Sequence, residues 1–382
     1  MKRVLKPAVS LATLLVCLLL GELCLELFAP VPDPYGRAKH VQPVNQYVRY
    51  EFPPNFSFAT EPEEGLPGVH GHNLFTTNNA GFRGDYLATP KPGGEFRVFV
   101  IGGSTVECLY LDDAKSLTRV LQDELSAHAP AGVNVKVYGA GKSGAASDDH
   151  VAMITERIVH LEPDLVVVFS GVNDLTRSIY DYDYLHYLPQ GEGQKLPLWH
   201  MLATEFQLPR RLVYLKARLS PGESRALEEL PARSDYREKV RIRAAAPRTD
   251  ARPRVETNAY AANLRTIIGV ARAHNIRLVL MTQPSSWNSA VDPSAQGWHW
   301  ITYRRGVTYR EDYMDEALES FDDQTRRLSA DNSVPLYDAA KSLPKSLEIF
   351  YDDVHFNENG ARAAAEGLAS LILEKNLLAP SR

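Results

Sequence analysis

A serine stands where a strongly apolar segment ends, in the stretch F-R-V-F-V-I-G-G-S-T from Phe96 to Thr105. Two glycines leave this residue, Ser104, uncrowded, so the turn could present a nucleophile. The same turn could instead bind a phosphate through its backbone N–H groups, or simply connect a strand to a helix. The choice depends on which other residues the fold brings to Ser104.

Three further short motifs carry glycine or polar residues that could take part in such chemistry. They are G-A-G-K-S-G-A-A-S at 139–147, G-V-N-D at 171–174 and D-D-V-H-F-N-E-N-G at 352–360. Each is weak evidence by itself, because G-G-S and G-x-N-D occur by chance. Together, and in this order, they indicate an active site assembled from distant parts of the chain.

The segments around these motifs alternate between apolar runs and stretches with helical periodicity. Short buried strands that alternate with helices predict an α/β fold with a parallel sheet of about five strands, covered on both faces. Sites in such sheets form at the carboxyl ends of the strands, so the motifs and the W-N-S segment after the fourth strand should share one edge. The predicted strands are Phe96–Ile101, Val133–Tyr138, Asp164–Phe169, Ile276–Met281 and Val334–Tyr337, and a last helix should start near Glu358.

On these four motifs the sequence resembles the SGNH hydrolases, also called GDSL-type esterases. The resemblance covers residues 96–174 and 256–375. It implies a three-layer, flavodoxin-like fold and ester chemistry without a metal or another cofactor. The first block usually reads Gly-Asp-Ser and here reads Gly-Gly-Ser at 102–104, which bears on the geometry of the turn. A membrane-anchored bacterial subset is similar in its G-G-S-T block and in the N-x-x-G-F-R stretch at 78–83.

The resemblance implies a role for a residue in each block. Ser104 would be the nucleophile, His355 its general base, and Asp352 the acid that orients the imidazole. A hydroxyl is a weak nucleophile until a base takes its proton, and an ordinary histidine pKa of about 6.5 suits that task at neutral pH. Attack on an ester creates an oxyanion. The backbone N–H groups of Ser104 and Gly144 and the side-chain amide of Asn173 would form the oxyanion hole.

Each of these residues also has a purely structural interpretation. Ser104 could cap the helix expected to start just after it, a helix that would also add its positive N-terminal end to the site. Gly144 could be a turn glycine, Asn173 could cap a loop and His355 could be a surface histidine. Asp353 competes for the role of the acid.

Two aromatic clusters should lie near the same edge of the sheet. The first begins at Tyr180, after the third strand, and the second includes Trp287 and Trp298, after the fourth. Flat aromatic faces suit sugar rings or acyl chains, so these three residues are candidates for substrate binding. The alternative is that they pack neighbouring elements together. His70 and His72 have no further ligand set nearby, so we expect no metal site.

The N-terminus has the layout of a secretory signal or a membrane anchor. Three basic residues among the first six precede a run that is almost wholly apolar over 7–21. Cleavage after Ala29 would put Leu27 at a position that needs a small residue. We therefore expect residues 1–29 to form an uncleaved, single-pass transmembrane helix in the bacterial inner membrane, with the catalytic domain in the periplasm. The alternative is secretion after cleavage of the signal.

The composition is that of a globular protein, because 44% of the 382 residues are hydrophobic and 23% are charged. The formal net charge of −5 argues against nucleic acid as the main partner. Two of the three cysteines lie in the N-terminal apolar segment, so the remainder can form no internal disulfide.

We expect three regions: the N-terminal helix, a membrane-proximal linker and irregular subdomain at 30–95, and a hydrolase domain at 96–382. The domain carries an insert at 176–255 that interrupts the alternation of strands and helices. Its part at 209–254 holds 13 Lys and Arg against 6 Asp and Glu. This basic part is either a solvated helical excursion or a surface for anionic lipid or glycan.

The sequence thus predicts an extracytoplasmic serine esterase that cleaves O-acyl esters, above all O-acetyl esters, on a small molecule or on an envelope or exported polysaccharide. Three alternatives stay open. An acyl-enzyme that excludes water could pass its acyl group to a sugar, as an O-acyltransferase does. Membrane proximity and the basic insert would suit a lipase or lysophospholipase. An SGNH-like scaffold could also bind or assemble without catalysis. The oligomeric state cannot be read from the sequence.

Overall fold

The computed structural model describes residues 2–29, 47–60, 62–179, 202, 206–219, 236–290, 293–304 and 306–379. The chain forms two compact units. One comprises Met1–Gln42 and Leu188–Asp235, and the other comprises Pro43–Tyr187 and Tyr236–Arg382. All four motifs belong to the second unit.

Strands and helices alternate along most of the second unit. The strands are β1 (Ser57–Thr60), β2 (Asn73–Thr76), β3 (Glu95–Gly102), β4 (Asn134–Gly141), β5 (Leu165–Phe169), β6 (Arg277–Met281), β7 (Tyr303–Arg304), β8 (Val307–Thr308) and β9 (Leu336–Tyr337). The α-helices among the described residues are α1 (Lys2–Phe28), α2 (Ser104–Glu107), α3 (Leu117–Ala127), α4 (Ser147–Glu156), α5 (Val172–Ile179), α6 (Gln207–Leu219), α7 (Tyr236–Ala245), α8 (Asn258–Ala273), α9 (Pro293–Gln296), α10 (Glu311–Asn332), α11 (Ala339–Ser342) and α12 (Glu358–Glu374).

A five-stranded parallel sheet, in the order β4-β3-β5-β6-β9, forms the centre of this unit. The predicted α/β class, the parallel sheet and the start of the last helix at Glu358 are confirmed. Numbered by their place in the sheet's own chain order, the strands lie 2-1-3-4-5, the flavodoxin-like arrangement. In that arrangement the order reverses between the first and third strands, and ligand sites form there. Here these strands are β3, which leads into Ser104, and β5, which leads into Asn173.

The sheet is covered on both faces, and the residues of β3 show why. Val98 and Val100 point into a core shared with α3 and α12, whereas Phe99 and Ile101 point into a second core shared with α4, α8 and α10. All four side chains have 0% exposure. Burial of an apolar side chain of this size contributes about 1.5–3 kcal/mol. The continuous apolar run that predicted a two-sided strand is therefore explained by two separate cores.

The segment before β3 packs on this body. β1 and β2 pair antiparallel, and the buried ring of Phe82 packs edge-on against Phe99, with ring centres 5.3 Å apart. The backbone of Arg83 exchanges two hydrogen bonds with Gly139, at 3.0 and 2.7 Å, and so extends the edge of the sheet beside β4. Extended pieces and turns were predicted here, and the described part agrees.

The first unit contains α1 and α6. The side chain of Glu22 on α1 accepts hydrogen bonds from the first backbone N–H groups of α6, at 2.9 Å for Leu208, and Glu26 accepts from the amide of Gln207 at 2.8 Å. These carboxylates satisfy N–H groups that a helix start leaves without an internal acceptor. Within the residues given above, no helix combines the length and the apolar character needed to cross a membrane. The transmembrane helix and the domain boundaries stay predictions.

Candidate active site

The hydroxyl of Ser104 meets the imidazole of His355 across 251 positions of sequence. Ser104 Oγ lies 2.7 Å from His355 Nε2, and His355 Nδ1 lies 2.7 Å from Oδ2 of Asp352. β3 ends at Gly102 and α2 begins at Ser104, which places the hydroxyl at the sheet edge. The result is a continuous hydroxyl–imidazole–carboxylate array.

Four hydrogen-bond donors hold the carboxylate of Asp352. The backbone N–H groups of Val354 and His355 donate to Oδ1 at 3.0 and 2.8 Å, His355 Nδ1 shares the carboxylate, and the indole N–H of Trp300 donates to Oδ2 at 3.0 Å. Burial raises the pKa of Asp352, but the charge and hydrogen bonds of His355 outweigh it and bring the pKa below its ordinary value. The group is therefore an anion that faces the imidazole.

The imidazole is fixed in place and made more basic by its surroundings. Its ring stacks on Tyr351 with centroids 5.4 Å apart and an angle of 8° between planes. Burial lowers the pKa of His355, but the adjacent Asp352 carboxylate raises it more, so the pKa lies above the ordinary value of 6.5. Asp352 thus favours the protonated form of the ring.

Asp353 has a different environment from Asp352. Its carboxylate accepts hydrogen bonds from Trp287 Nε1 at 2.8 Å and from the backbone N–H groups of Trp300 and Ile301 at 2.7 and 3.0 Å. It therefore joins the histidine segment to the chain after β6, and Asp352 is the partner of the imidazole. Trp287 is fully buried in this contact, so it packs elements together and presents no open face to a substrate.

Gly144 lies at the third position of a tight turn. Ala145 N–H donates to Lys142 O at 3.0 Å, and Gly144 has φ of 87°, which identifies a type II turn and favours glycine there. A Cβ at this position would also come within 3.2 Å of the ring of Tyr50. Arg177 on α5 donates to Gly144 O at 3.1 Å. The turn glycine and the predicted oxyanion donor are therefore the same residue.

The amide of Asn173 lies between the serine turn and the Gly144 turn. Its Nδ2 donates to Ala145 O at 2.7 Å, and a Cβ at Gly103 would lie 2.5 Å from the same nitrogen. The N–H of the first helical residue, Ser104, has no acceptor within its helix. In the part of the chain that the structure describes, no hydrogen bond engages the N–H of Ser104 or of Gly144. The structure thus brings the segments that carry the three predicted donors next to one another.

The family of this chain follows from its sequence as a whole. The sequence profile of the GDSL-like lipase/acylhydrolase family matches residues 100–363, which include all four motifs. The chain belongs to this family. It is an acylhydrolase, an enzyme that cleaves ester bonds and acts on acylated substrates.

Solved structures that the chain is similar to include two acetylxylan esterases and a lipase/acylhydrolase. The esterase AlAXEase shares 16% identity, covers 72% of this chain and 100% of its own, and gives a TM-score of 0.40. Axe2 from Geobacillus stearothermophilus shares 15% identity, with coverages of 76% and 99% and a TM-score of 0.40. The lipase/acylhydrolase from Enterococcus faecalis shares 14% identity, with coverages of 74% and 95% and a TM-score of 0.40. No curated protein sequence is a significant match to this acylhydrolase.

The helix that begins at Ser104 is a single turn. α2 ends at Glu107 because Cys108 takes a left-handed conformation with φ of 49°. Gly103 occupies the N-cap and no side-chain cap hydrogen bond forms there, so Ser104 does not serve as the cap. A helix of one turn aligns few peptide dipoles, and the expected contribution of a helix end is correspondingly small. Burial raises the pKa of the Cys108 thiol, as suits a core residue.

Sequence reasoning missed the residue that fixes the end of this turn. The buried guanidinium of Arg83 donates to the backbone oxygens of Glu107 at 2.8 Å, Cys108 at 2.9 Å and Leu111 at 2.6 Å, and to Asp113 Oδ1 at 2.8 Å. Carbonyls at a helix end need such donors. The N-x-x-G-F-R stretch was the available signal, since Arg83 is its last residue.

A second missed residue, Asp174, follows Asn173 directly. Its buried carboxylate accepts hydrogen bonds from the N–H of Ser147 at 3.2 Å, from Ser147 Oγ at 2.5 Å and from Ser170 Oγ at 3.0 Å. Burial raises its pKa despite these bonds. Asp174 therefore ties the G-V-N-D motif to the start of α4, just beyond the Gly144 turn.

The remaining substrate-binding candidates have different outcomes. Trp298 is half-buried and packs against Tyr236, with ring centroids 6.0 Å apart. The ammonium of Lys239 lies over the ring of Trp300, with Nζ 4.1 Å from the ring centre. Tyr180 lies outside the described residues. No group of three or more metal-ligating side chains occurs among those that are described.

Proposed function

We propose that this acylhydrolase is a serine esterase that hydrolyses O-acyl esters through an acyl-enzyme on Ser104. The observation that carries the proposal is the 2.7 Å contact between Ser104 Oγ and His355 Nε2, with Asp352 on the other ring nitrogen. A proton on Nδ1 that is donated to Asp352 leaves Nε2 as an acceptor for the serine hydroxyl. The ring is then in the tautomer that a general base requires.

The reaction follows from this geometry. His355 Nε2 takes the proton of Ser104 as Oγ attacks the acyl carbon, and the carbonyl oxygen becomes an oxyanion. The N–H groups of Ser104 and Gly144 and the amide of Asn173 stabilise this charge; loss of one such donor costs about 2.7–4 kcal/mol. When the intermediate collapses, the leaving alcohol takes the proton from His355. Water, deprotonated by the same nitrogen, then releases the carboxylic acid and restores the Ser104 hydroxyl.

We further propose that the acyl group is acetyl and that its carrier is a glycan of the cell envelope or an exported polysaccharide. The half-buried rings of Trp298 and Trp300 support this, since aromatic faces suit sugar rings and Trp300 also contacts Asp352. Transfer to a sugar hydroxyl would use the same acyl-enzyme. Acetate release and acetyl transfer, both measured with an acetylated polysaccharide and an unacetylated acceptor, separate a hydrolase from an O-acyltransferase.

The location we propose is the periplasmic side of the inner membrane, with the N-terminal helix as an anchor. Basic residues before the apolar run over 7–21 and the 27-residue length of α1 support it. Cell fractionation with N-terminal sequencing tests it. A full-length, membrane-bound protein that external protease degrades in spheroplasts is expected. A shortened protein in the periplasmic fluid would replace the anchor with a cleaved signal.

Hydrolysis of p-nitrophenyl acetate by the purified chain tests the esterase proposal. Ser104→Ala should lower kcat by at least about 10⁴-fold, because it removes the nucleophile. The matched control is Ser126→Ala on the exposed surface of α3, which should retain wild-type kcat. A fluorophosphonate should label the wild type at Ser104 and leave Ser104→Ala unlabelled. Wild-type turnover by Ser104→Ala would overturn the proposal.

A further inference from the structure

Glu107 is a buried acid that lies one turn after Ser104 and takes no part in the array with His355. Only 6% of its surface is exposed. Its Oε2 accepts a hydrogen bond from the backbone N–H of Ser143 at 2.8 Å and another from the Ser143 hydroxyl. A carboxylate is costly to bury unless it is hydrogen-bonded, and Ser143 supplies both of these donors. Because Ser143 immediately precedes Gly144, the contact ties Glu107 to the turn that carries a predicted oxyanion donor.

In the turn that Glu107 contacts, the orientation of the central peptide decides whether the Gly144 N–H can reach an oxyanion. In a turn over Lys142–Ala145, the Gly144 N–H belongs to the central peptide. Type I and type II turns differ chiefly by rotation of this peptide, through ψ of the second residue and φ of the third. Rotation would swing the Gly144 N–H to the opposite side of the turn. Glu107 holds the second residue, Ser143, through its backbone N–H and its hydroxyl, and so fixes the position from which the Gly144 N–H projects.

The two flanks of Gly144 are held from different elements. On the C-terminal side, the carbonyl oxygen of Ala145 accepts a hydrogen bond from Asn173 at 2.7 Å, and that of Gly144 accepts one from Arg177 at 3.1 Å. Both donors lie on α5. Before Gly144, Ser143 is held by Glu107, which lies on the helix that begins at Ser104. Each flank is thus attached to an element that carries another oxyanion donor.

The Gly-Gly-Ser form of the first block explains why the carboxylate near this turn comes from Glu107, one turn after Ser104, and not from position 103. A Cβ at Gly103 would come within 2.5 Å of Asn173 Nδ2 and 3.3 Å of Ala145 O, so a side chain there would displace the amide. The aspartate usual at this place in the family does not fit the present arrangement. The helix starting at Ser104 instead reaches the Gly144 turn with a carboxylate from Glu107, one turn later.

We propose that Glu107 is a positioning residue: it holds the Gly144 turn beside α2, so that the Gly144 N–H faces the same oxyanion as the Ser104 N–H. This inference rests on the proposed function. It assigns Glu107 an effect on the transition state and little effect on binding of the substrate. An interaction made only with the transition state acts on kcat and leaves KM nearly unchanged.

The test compares Glu107→Ala with Glu107→Gln in hydrolysis of p-nitrophenyl acetate. Glu107→Ala should lower kcat by about 10²-fold, as for weakening of one oxyanion donor, with KM within about threefold of the wild type. Glu107→Gln keeps a carbonyl acceptor for Ser143 and should stay within about fivefold of wild-type kcat. Glu366→Ala, the same change at an exposed position of α12, is the matched control.

The final extent of fluorophosphonate labelling at Ser104 counts folded, reactive sites, so kcat is expressed per labelled site. Unchanged kcat per site in Glu107→Ala would overturn the inference, as would equal losses in the Ala and Gln variants. If Glu107→Ala does not fold, Ser143→Ala, which keeps the backbone contact, should lower kcat per site by about threefold to tenfold; no loss there would also overturn it. Turnover by Ser104→Ala would instead refute the proposed function, so the two failures are distinct.

Discussion

The base side and the oxyanion side of this site are positioned by different means. On the base side, Asp352 and His355 lie within four residues, and Asp352 accepts the backbone N–H groups of its own turn. On the oxyanion side, the donors come from three separate elements that follow β3, β4 and β5, and buried side chains such as Glu107 and Asp174 link these elements.

This difference predicts that substitutions on the two sides will change the kinetics in two distinct ways. A change on the base side alters proton transfer, so both the rate and its dependence on pH should change. A change on the oxyanion side alters stabilisation of the intermediate, so the rate should fall while the pH dependence stays in place. The pH profile of kcat/KM therefore tells which side a substitution has damaged.

Asp352→Asn should produce the largest effect on the base side. The amide can stabilise the wrong tautomer of His355 and removes the negative charge beside it, so kcat should fall by about 10⁴-fold. Loss of that charge should also lower the pKa of His355, and the acid limb of kcat/KM should move to lower pH. Asp353→Asn is the matched control; because Asp353 also raises the pKa of His355, but less than Asp352 does, its acid limb should move by a smaller amount. A loss of less than tenfold in Asp352→Asn would contradict the orienting role.

Asn173→Ala should produce the largest effect on the oxyanion side. Removal of one donor should lower kcat by about 10²–10³-fold, and the acid limb should keep its wild-type midpoint. Steady-state kinetics across pH, with Asn359→Ala at the exposed start of α12 as the control, measure both quantities. A shifted midpoint would show that the two sides are not separable.

The next largest effect is the loss of wild-type activity at low pH. Because the Asp352 carboxylate raises the pKa of His355 above 6.5, the imidazole is protonated and inactive below that raised pKa. Activity should therefore be lost as pH falls through a midpoint above 6.5, with a decrease of about 10²-fold two units below it. A midpoint below 6.5 in kcat/KM would contradict the assignment of His355 as the base.

Trp300→Phe should produce the smallest effect. It removes the indole donor at 3.0 Å from Asp352, but three other donors still orient the carboxylate, so kcat should fall by less than about tenfold. The melting temperature should fall more clearly than kcat, since a hydrogen bond to a charged group contributes about 1.5–3 kcal/mol. Trp287→Phe, which removes the corresponding bond to Asp353, should leave the acid limb unchanged. A shift in the acid limb for Trp287→Phe as large as that for Asp352→Asn would contradict the assignment of Asp352 as the partner of His355.

The sequence predicted what depends on local pattern. Strand β3 was recognisable because Val98–Ile101 is buried on both faces and therefore continuously apolar. The pairing of His355 with an acid three residues earlier was implied by family resemblance and is also local. The choice between Asp352 and Asp353 followed only from the resemblance, because their surroundings differ through Trp287 and other residues far along the chain.

The sequence did not reveal contacts whose two partners lie far apart. Glu107 and Ser143 are 36 positions apart, and Asp174 and Ser147 are 27 apart, and no periodicity marks either pair. Nor does any local pattern mark the one-turn length of α2. It depends on the left-handed conformation of Cys108, and Arg83, 25 positions earlier, binds the carbonyl there.

The position of Arg83 has a practical consequence for anyone who shortens this protein. The family profile begins at residue 100, yet the guanidinium that satisfies the carbonyls of Glu107, Cys108 and Leu111 comes from upstream of that limit. A fragment cut at the profile boundary would lose this support together with half of β3. The smallest self-sufficient enzyme should therefore begin upstream of β1, so that it keeps the β1–β2 pair and Arg83.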